Sequence, residues 1–228
     1  MKAIRIHKFG DSEDVLQYED VPIPEPKAGE VLVKVEAAAL NRADLSLRKG
    51  AYRISPDQLP VIPGREFAGT VEKVGANVSE FKAGQRVVGY PSLGGYAEHA
   101  IASTAEARPV PDGVTSEQAA AVPTVFLTAW FGLLTDGNLK SGDWLLVQGG
   151  SSGVGTAAIQ IGKHLGAKVI ATTGSEEKAR RLRKLGADVT IDVSQNDFLA
   201  EVMRVTNNRG VDVVLEMIGG EVYQKSLQ

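Results

Sequence analysis

The stretch that most constrains this chain is GGSSGVG, Gly149–Gly155. It lies between the continuous apolar run Trp144–Gln148 and a helical segment carrying Ala157, Ile161 and Leu165 on one face. Such a run fits a strand buried on both faces of a parallel sheet. A glycine-rich turn from that strand into a helix gathers free N–H groups at the positive end of the helix dipole. A Cβ there would block an approaching pyrophosphate, so the pattern in this context predicts dinucleotide binding. The competing reading is a tight structural turn in some other α/β protein. The motif is not a clean G-x-G-x-x-G: with Gly150 first and Gly155 third, Ser152 stands in the middle.

The residues that follow support the first reading. Gly166 closes the helix, and Ala167–Thr173 is the next strand. Ser175 then caps a helix with Glu176 and Glu177 early and Arg180, Arg181, Arg183 and Lys184 late, complementing the dipole. LGAKV and LGADV are one helix-to-strand joint used twice. A strand at Val189–Ile191, a helix over Phe198–Thr206 and a strand at 211–216 continue an open parallel sheet. The expected loop contacts to the cofactor are Gly150, Ser151, Ser152, Gly153, Val154 and Gly155.

Cofactor choice is read at the end of the second strand. NAD-binding folds place an acidic residue there for the ribose hydroxyl. Here the run is Thr172-Thr173-Gly174-Ser175, and Lys178 shares the first helical turn with Ser175. Small residues, a hydroxyl and an ammonium suit a 2′-phosphate. NADPH is therefore expected, held by Thr173, Gly174, Ser175 and Lys178. The alternative is that Lys178 is an ordinary solvated helix charge.

Residues 1–125 read differently. Strands are predicted at the N-terminal run MKAIRIHKF, at Glu30–Leu40 with Val31, Val33 and Val35 on one face, at Phe67–Gly75 and at Gln85–Tyr90. Three prolines in Val21–Gly29 exclude a helix interior there. Together these suggest a small barrel or sandwich. Residues 113–134 read as two short helices interrupted by Pro123.

Composition removes whole classes of function. A net charge of −3 argues against a nucleic-acid platform. With no cysteine, thiolate zinc sites, iron–sulfur clusters and cysteine nucleophiles are excluded. No run approaches the roughly 18 apolar residues of a membrane span. A cytoplasmic protein with no membrane attachment is the expectation.

The stretches Ala37–Tyr52, Pro60–Gly75, Gly94–His99, Thr128–Trp130, Gly149–Val169 and Thr173–Ala187 together resemble the medium-chain dehydrogenase/reductase superfamily, and within it the zinc-independent quinone oxidoreductase group. The resemblance implies an α/β architecture: a GroES-like β-rich catalytic domain over 1–125 and a partial Rossmann domain, a doubly wound parallel sheet, over 126–228. It implies that Asn41 and Tyr52 line the substrate and nicotinamide site and that Thr128 touches the nicotinamide end. Asn41 has the competing role of capping the helix begun at Arg42, and Tyr52 that of a loop residue with a solvated hydroxyl. Zinc-dependent relatives place Cys where this chain has Asn41, Gly-His-Glu where it has Gly64-Arg65-Glu66, and a third ligand near Thr124. No metal is expected. Relatives that prefer NADPH often carry a Tyr after the third strand, where this chain has Asp192-Val193.

The expected activity is NADPH-dependent hydride transfer to a small-molecule quinone or other α,β-unsaturated carbonyl. Alternatives are a non-catalytic NADPH-binding protein and an enoyl-thioester reductase, for which Arg48, Lys49 and Arg53 are candidate entrance cations. Members of the family run to about 300 residues on domain-size logic, so the chain reads as C-terminally truncated, with strand 211–216 at an open edge. A homodimer stays open, since relatives often pair through the far sheet edge.

Overall fold

The computed structural model describes residues 1–52 and 54–228. The chain divides into two compact units, Met1–Thr124 and Val125–Gln228.

In the first unit, β1 (Lys2–Ile6) and β2 (Leu16–Asp20) form an antiparallel pair. Sequence reading passes over β2 because its side chains are mostly exposed, leaving no apolar face to detect. Five further strands follow: β3 (Glu30–Ala38), β4 (Phe67–Val74), β5 (Arg86–Gly89), β6 (His99–Ser103) and β7 (Ala107–Pro109). They form an antiparallel sheet in the order β6-β3-β4-β5-β7. Helix α1 (Arg42–Arg48) lies between β3 and β4 in sequence.

Val31 and Val33 pack with Phe67, Val71 and Val87, as the alternation of β3 predicts. Leu32 is buried as well, so the strand is covered on both faces over its first half rather than half-solvated. Further along, the β3–β4 register shifts between Val35 and Ala37. This bulge carries Glu36, whose carboxylate accepts from Ser116 Oγ (2.5 Å) and Thr70 Oγ1 (2.8 Å). Those hydroxyls, Ser116 first, hold Glu36 below the usual carboxylate range. Ser116 opens α2 (Ser116–Ala120), capped by Thr115, and Ala119 and Ala120 pack on Ala68. The bulge thus ties a helix to the sheet.

Helix α3 (Pro123–Trp130) starts at its proline, the helical position that tolerates a missing N–H, and continues into a wide π-type turn at Phe131–Asp136. The second unit then alternates β8 (Trp144–Val147), α4 (Gly153–His164), β9 (Lys168–Thr173), α5 (Glu176–Lys184), β10 (Val189–Asp192), α6 (Phe198–Val205), β11 (Val213–Leu215) and α7 (Gly220–Ser226). The sheet is parallel, in the order β10-β9-β8-β11. Leu145, Val147, Val169 and Ala171 pack on one face with Ala157 and Ile161, and Leu146 and Ile170 on the other with Phe198 and Val202. That two-sided burial is why the strands read as unbroken apolar runs.

β11 is shorter than the 211–216 expected. The Asp212 carboxylate takes the Trp144 N–H (2.8 Å), so a side chain replaces the main-chain acceptor there. Among the described residues no helix is long and apolar enough to cross a membrane.

The closest backbone approach at the bulge is at Gly69, paired with Val35. A Cβ there would meet Lys34 O at 2.0 Å and Val35 Cα at 3.0 Å. Gly69→Ala forces β3 and β4 apart and is expected to cost about 2–3 kcal/mol, read as a lower urea midpoint at unchanged slope. A midpoint equal to wild type would show that the ladder yields without cost.

Candidate functional site

In the second unit the glycine loop is pinned to the end of β9. Gly149 N–H donates to Thr172 Oγ1 (3.0 Å) and Gly150 N–H to the Thr172 carbonyl (2.8 Å). Beneath it lies Gln148, fully buried. Its Oε1 accepts from Thr172 Oγ1 (2.8 Å), and its Nε2 donates to Ser226 Oγ (3.2 Å). Sequence reading did not single out Gln148. The available signal was one amide ending an apolar run, a group that must find partners once buried.

The first turn of α4 lies so close to this loop that a Cβ on Gly155 would meet Gly149 O at 2.5 Å and Gly150 Cα at 2.7 Å. The protein's own packing therefore demands this glycine, independently of any ligand. Ser152, in the middle place of the motif, caps α4: its Oγ accepts from Gly155 N–H (3.0 Å). A side chain folded back as a cap explains how a serine stands where a glycine is usual.

Gly149, Ser151, Thr173, Gly174, Val193 and Phe198 line part of a cavity of about 210 Å³. Thr173 Oγ1 donates to Ser151 Oγ (3.3 Å), linking strand end and loop. Thus Ser151, Thr173 and Gly174 are brought together as the sequence suggested. Val193 contributes an apolar wall. The Asp192 carboxylate is turned to Ser194, accepting from its N–H (3.0 Å) and Oγ (2.7 Å).

Ser175 caps α5 by accepting from Lys178 N–H (3.4 Å). The acids beside Lys178 are engaged elsewhere, Glu177 by Arg181 at 2.6 Å and Glu176 by Arg183. Lys178 is exposed and has no carboxylate partner among the described residues. Thr128 lies on the exposed side of α3.

In the first unit, Asn41 precedes α1. It holds the N-cap position in a capping box with Asp44, and its side chain also donates from Nδ2 to Glu66 Oε1 (2.7 Å). Its backbone N–H donates to Asp44 Oδ2 (2.7 Å), and the same oxygen accepts from Tyr96 Oη (2.6 Å). Burial first, then the Asp44 hydrogen bond, pushes the Tyr96 phenol up, so it stays neutral. Glu66 is only 1 % exposed, and its Oε2 accepts from Thr124 N–H (2.7 Å).

Tyr52 is half-buried, and its Oη accepts from Arg65 Nη1 (2.6 Å). The Arg65 guanidinium lies 5.5 Å from the Tyr52 ring and 5.6 Å from the Tyr90 ring. The Tyr52 hydroxyl is thus held by a cation. Of the candidate entrance cations, Arg48 donates to Asp11 O (2.5 Å) and Lys49 pairs with Asp11 (2.6 Å). Arg53 lies outside the described residues.

At the positions that carry zinc ligands in metal-dependent relatives, this chain has Asn41, Arg65 and Thr124. Arginine has donors only, the Asn41 amide is committed to Glu66, and Thr124 meets Glu66 through its backbone N–H. Among the described residues no group of three or more His, Cys, Asp or Glu could hold a metal ion.

Two family models match the chain: an alcohol dehydrogenase GroES-like domain over residues 27–112 and a zinc-binding dehydrogenase over 153–228. The quinone oxidoreductase of Sus scrofa is 38% identical over 219 residues, covering 96% of this chain and 66% of the relative. Among solved structures, Escherichia coli quinone oxidoreductase complexed with NADPH is 33% identical at a TM-score of 0.92, covering 100% of this chain and 69% of that one. The CurK enoyl reductase is 30% identical at a TM-score of 0.91, covering 99% of this chain and 70% of that one. The chain spans about two thirds of the length of the relatives it matches. With a β-rich GroES-like unit, a parallel Rossmann-type sheet and this similarity over nearly its whole length, the chain belongs to the quinone oxidoreductase group of the medium-chain dehydrogenase/reductase superfamily.

Proposed function

We propose that the chain is an NADPH-dependent reductase that delivers hydride to small quinones or other α,β-unsaturated carbonyls without zinc. The observation that carries the reading is the acid-free corner at the end of β9. Thr173 and Gly174 line the cavity, Ser175 opens α5, and the unneutralised Lys178 stands one turn along. Such a corner receives a 2′-phosphate through charge-assisted hydrogen bonds, where a carboxylate would repel it. The cavity's largely apolar wall suits a flat aromatic base. The free N–H groups at the start of α4 suit a pyrophosphate. The NADPH carried by the Escherichia coli relative agrees with this assignment. When bound, the cofactor supplies the hydride.

This chain's own residues do the rest. Asn41 and Tyr52 form the substrate end, and Tyr52 donates its hydroxyl proton to the substrate oxygen as that oxygen gains charge. Quinones and enones spread the arriving charge over a conjugated system, so hydrogen bonds suffice where a ketone would call for a metal. On this reading the protein acts in the cytoplasm. A second reading, reduction of an enoyl thioester, is favoured by the likeness to the CurK enoyl reductase. The engagement of Arg48 and Lys49 with Asp11 weakens the case for a basic entrance that would hold a thioester's phosphate arm.

The deciding experiment titrates the chain with NADPH and NADH by fluorescence quenching, then measures turnover over a panel of quinones, enones and enoyl thioesters. Binding to neither nucleotide overturns the reading; turnover confined to thioesters replaces it with the second. Lys178→Ala is expected to weaken NADPH about tenfold and to leave NADH nearly unchanged. Gly174→Asp, at a position where a Cβ meets nothing within 4 Å, should fit and shift preference toward NADH. Equal changes for both nucleotides would remove Lys178 from phosphate recognition. Tyr52→Phe should lower kcat about 100-fold with nucleotide affinity unchanged; an unaltered kcat would remove Tyr52 from proton donation.

A further inference from the structure

Gln148, the residue after β8, is a polar side chain at 1 % exposure. Its hydrogen bonds belong to a series that runs in one direction. Gly149 N–H donates to Thr172 Oγ1 (3.0 Å), whose own proton goes to Gln148 Oε1 (2.8 Å). Gln148 Nε2 donates to Ser226 Oγ (3.2 Å), and Ser226 Oγ donates to the Val222 carbonyl (2.8 Å). Ser226 has one hydroxyl proton and spends it on Val222, so towards Gln148 it can only accept. That fixes the NH2 end of the amide on Ser226 and its carbonyl on Thr172. An apolar side chain of this size would fill the same place without needing partners, so burial alone does not call for an amide.

The helix at the far end of the series is lightly held. No residue of α7 is buried. Val222 packs against the cluster of Leu146, Ile170 and Phe198, and Lys225 pairs with Asp197 (2.6 Å). A cavity of about 250 Å³ is lined by Phe198 and Val202 of α6 and by Ser226, so α7 is not closely packed on α6 there. Yet this helix serves the nucleotide cavity. Val222, and Ile218 just ahead of α7, line it together with Gly149 and Gln148 itself. Ile218 lies so near the loop that a Cβ on Gly149 would meet its Cδ1 at 3.0 Å. One part of the cavity wall thus belongs to a lightly held helix and another to the glycine loop, and the buried amide is the polar link between them.

We propose that Gln148 is a positioning residue that couples α7 to the glycine loop, so that the loop takes its binding geometry for a dinucleotide only while α7 is seated. Coupling of this kind is reciprocal: a bound dinucleotide tightens α7 by the same factor by which a seated α7 tightens the dinucleotide. The ligand's identity as a dinucleotide rests on the reductase reading; the tie itself is read without any ligand.

The experiment uses the whole ¹⁵N-labelled chain with Ser226→Ala, which removes one half-exposed hydroxyl, and Ser226→Thr, which keeps it. Without nucleotide, the Gly149 amide proton should exchange with solvent about tenfold faster in Ser226→Ala than in wild type, while Ile170 in the middle of β9 keeps its rate and Ser226→Thr matches wild type. An unchanged Gly149 rate overturns the proposal, as does an equal acceleration at Ile170, which would report general loosening, or a Ser226→Thr rate as fast as that of Ser226→Ala. With nucleotide, Ser226→Ala should weaken NADPH and NADH alike by about fivefold, since the tie acts on the loop and not on the 2′-phosphate corner. Gln148→Leu should weaken both at least as much, and adding Ser226→Ala to it should change nothing further, as expected of two residues acting through one bond. Unchanged affinities in Ser226→Ala, or losses that add in the double variant, overturn the positioning role. Should Gln148→Leu fail to fold, Ser226→Ala and Ser226→Thr decide alone. If wild type binds neither nucleotide, the reductase reading falls and the Gly149 rates still decide the tie.

Discussion

A buried carboxylate has to find donors, and in the first unit that requirement draws distant parts of the chain to one point. Glu66 lies just ahead of β4, Asn41 just ahead of α1, and Thr124 at the end of the unit, yet all three meet through two 2.7 Å hydrogen bonds. None of the three packs as a hydrophobic residue does, so their convergence follows from electrostatics rather than apolar burial. Asp44 and Tyr96 add a second carboxylate and a neutral phenol beside the first. These contacts hold the Asn41 and Tyr96 side chains in place before anything binds.

The second unit achieves stiffness by a different route. Its loop is held by the main chain of β9, by Thr172, and by the buried Gln148, whose amide reaches as far as Ser226. The lack of space at Gly155 locks the first turn of α4 onto the same loop. Here close backbone contact replaces buried charge. Both solutions remove freedom from the groups that would face a ligand and so reduce the entropy lost on binding.

Most of the second unit was legible in the sequence. Strands buried on both faces show as apolar runs, and helices that obey the dipole show their charge order, as α5 does. Gln148 was not legible, because a residue's partners across a sheet leave no trace in its own neighbourhood. In the first unit, β3 and β4 were visible from their valines, whereas the exposed β2 and the short β7 carry no period strong enough to read. Asn41 could be named both from its motif and as a helix cap, and it does hold the N-cap position of α1, but its bond to Glu66 leaves no trace in its own neighbourhood. Glu66 was legible only as a letter in Gly-Arg-Glu; its burial, which gives it meaning, is a tertiary fact.

Arg65 and Glu66 are adjacent and of opposite sign, yet they form no pair. One engages two tyrosine hydroxyls and the other two N–H donors. Had they paired, each would have neutralised the other, and Asn41 and Tyr52 would both lose the contacts that orient them. Keeping them apart leaves a guanidinium to hold the Tyr52 oxygen and a carboxylate to hold the Asn41 amide. A metal site would concentrate positive charge at one ion and recruit ligands to it. Here fixed charges stand behind two neutral side chains, the Tyr52 phenol and the Asn41 amide. On the proposed reading, a phenol held in this way gives a proton, which suffices for an acceptor whose own conjugation carries the electrons.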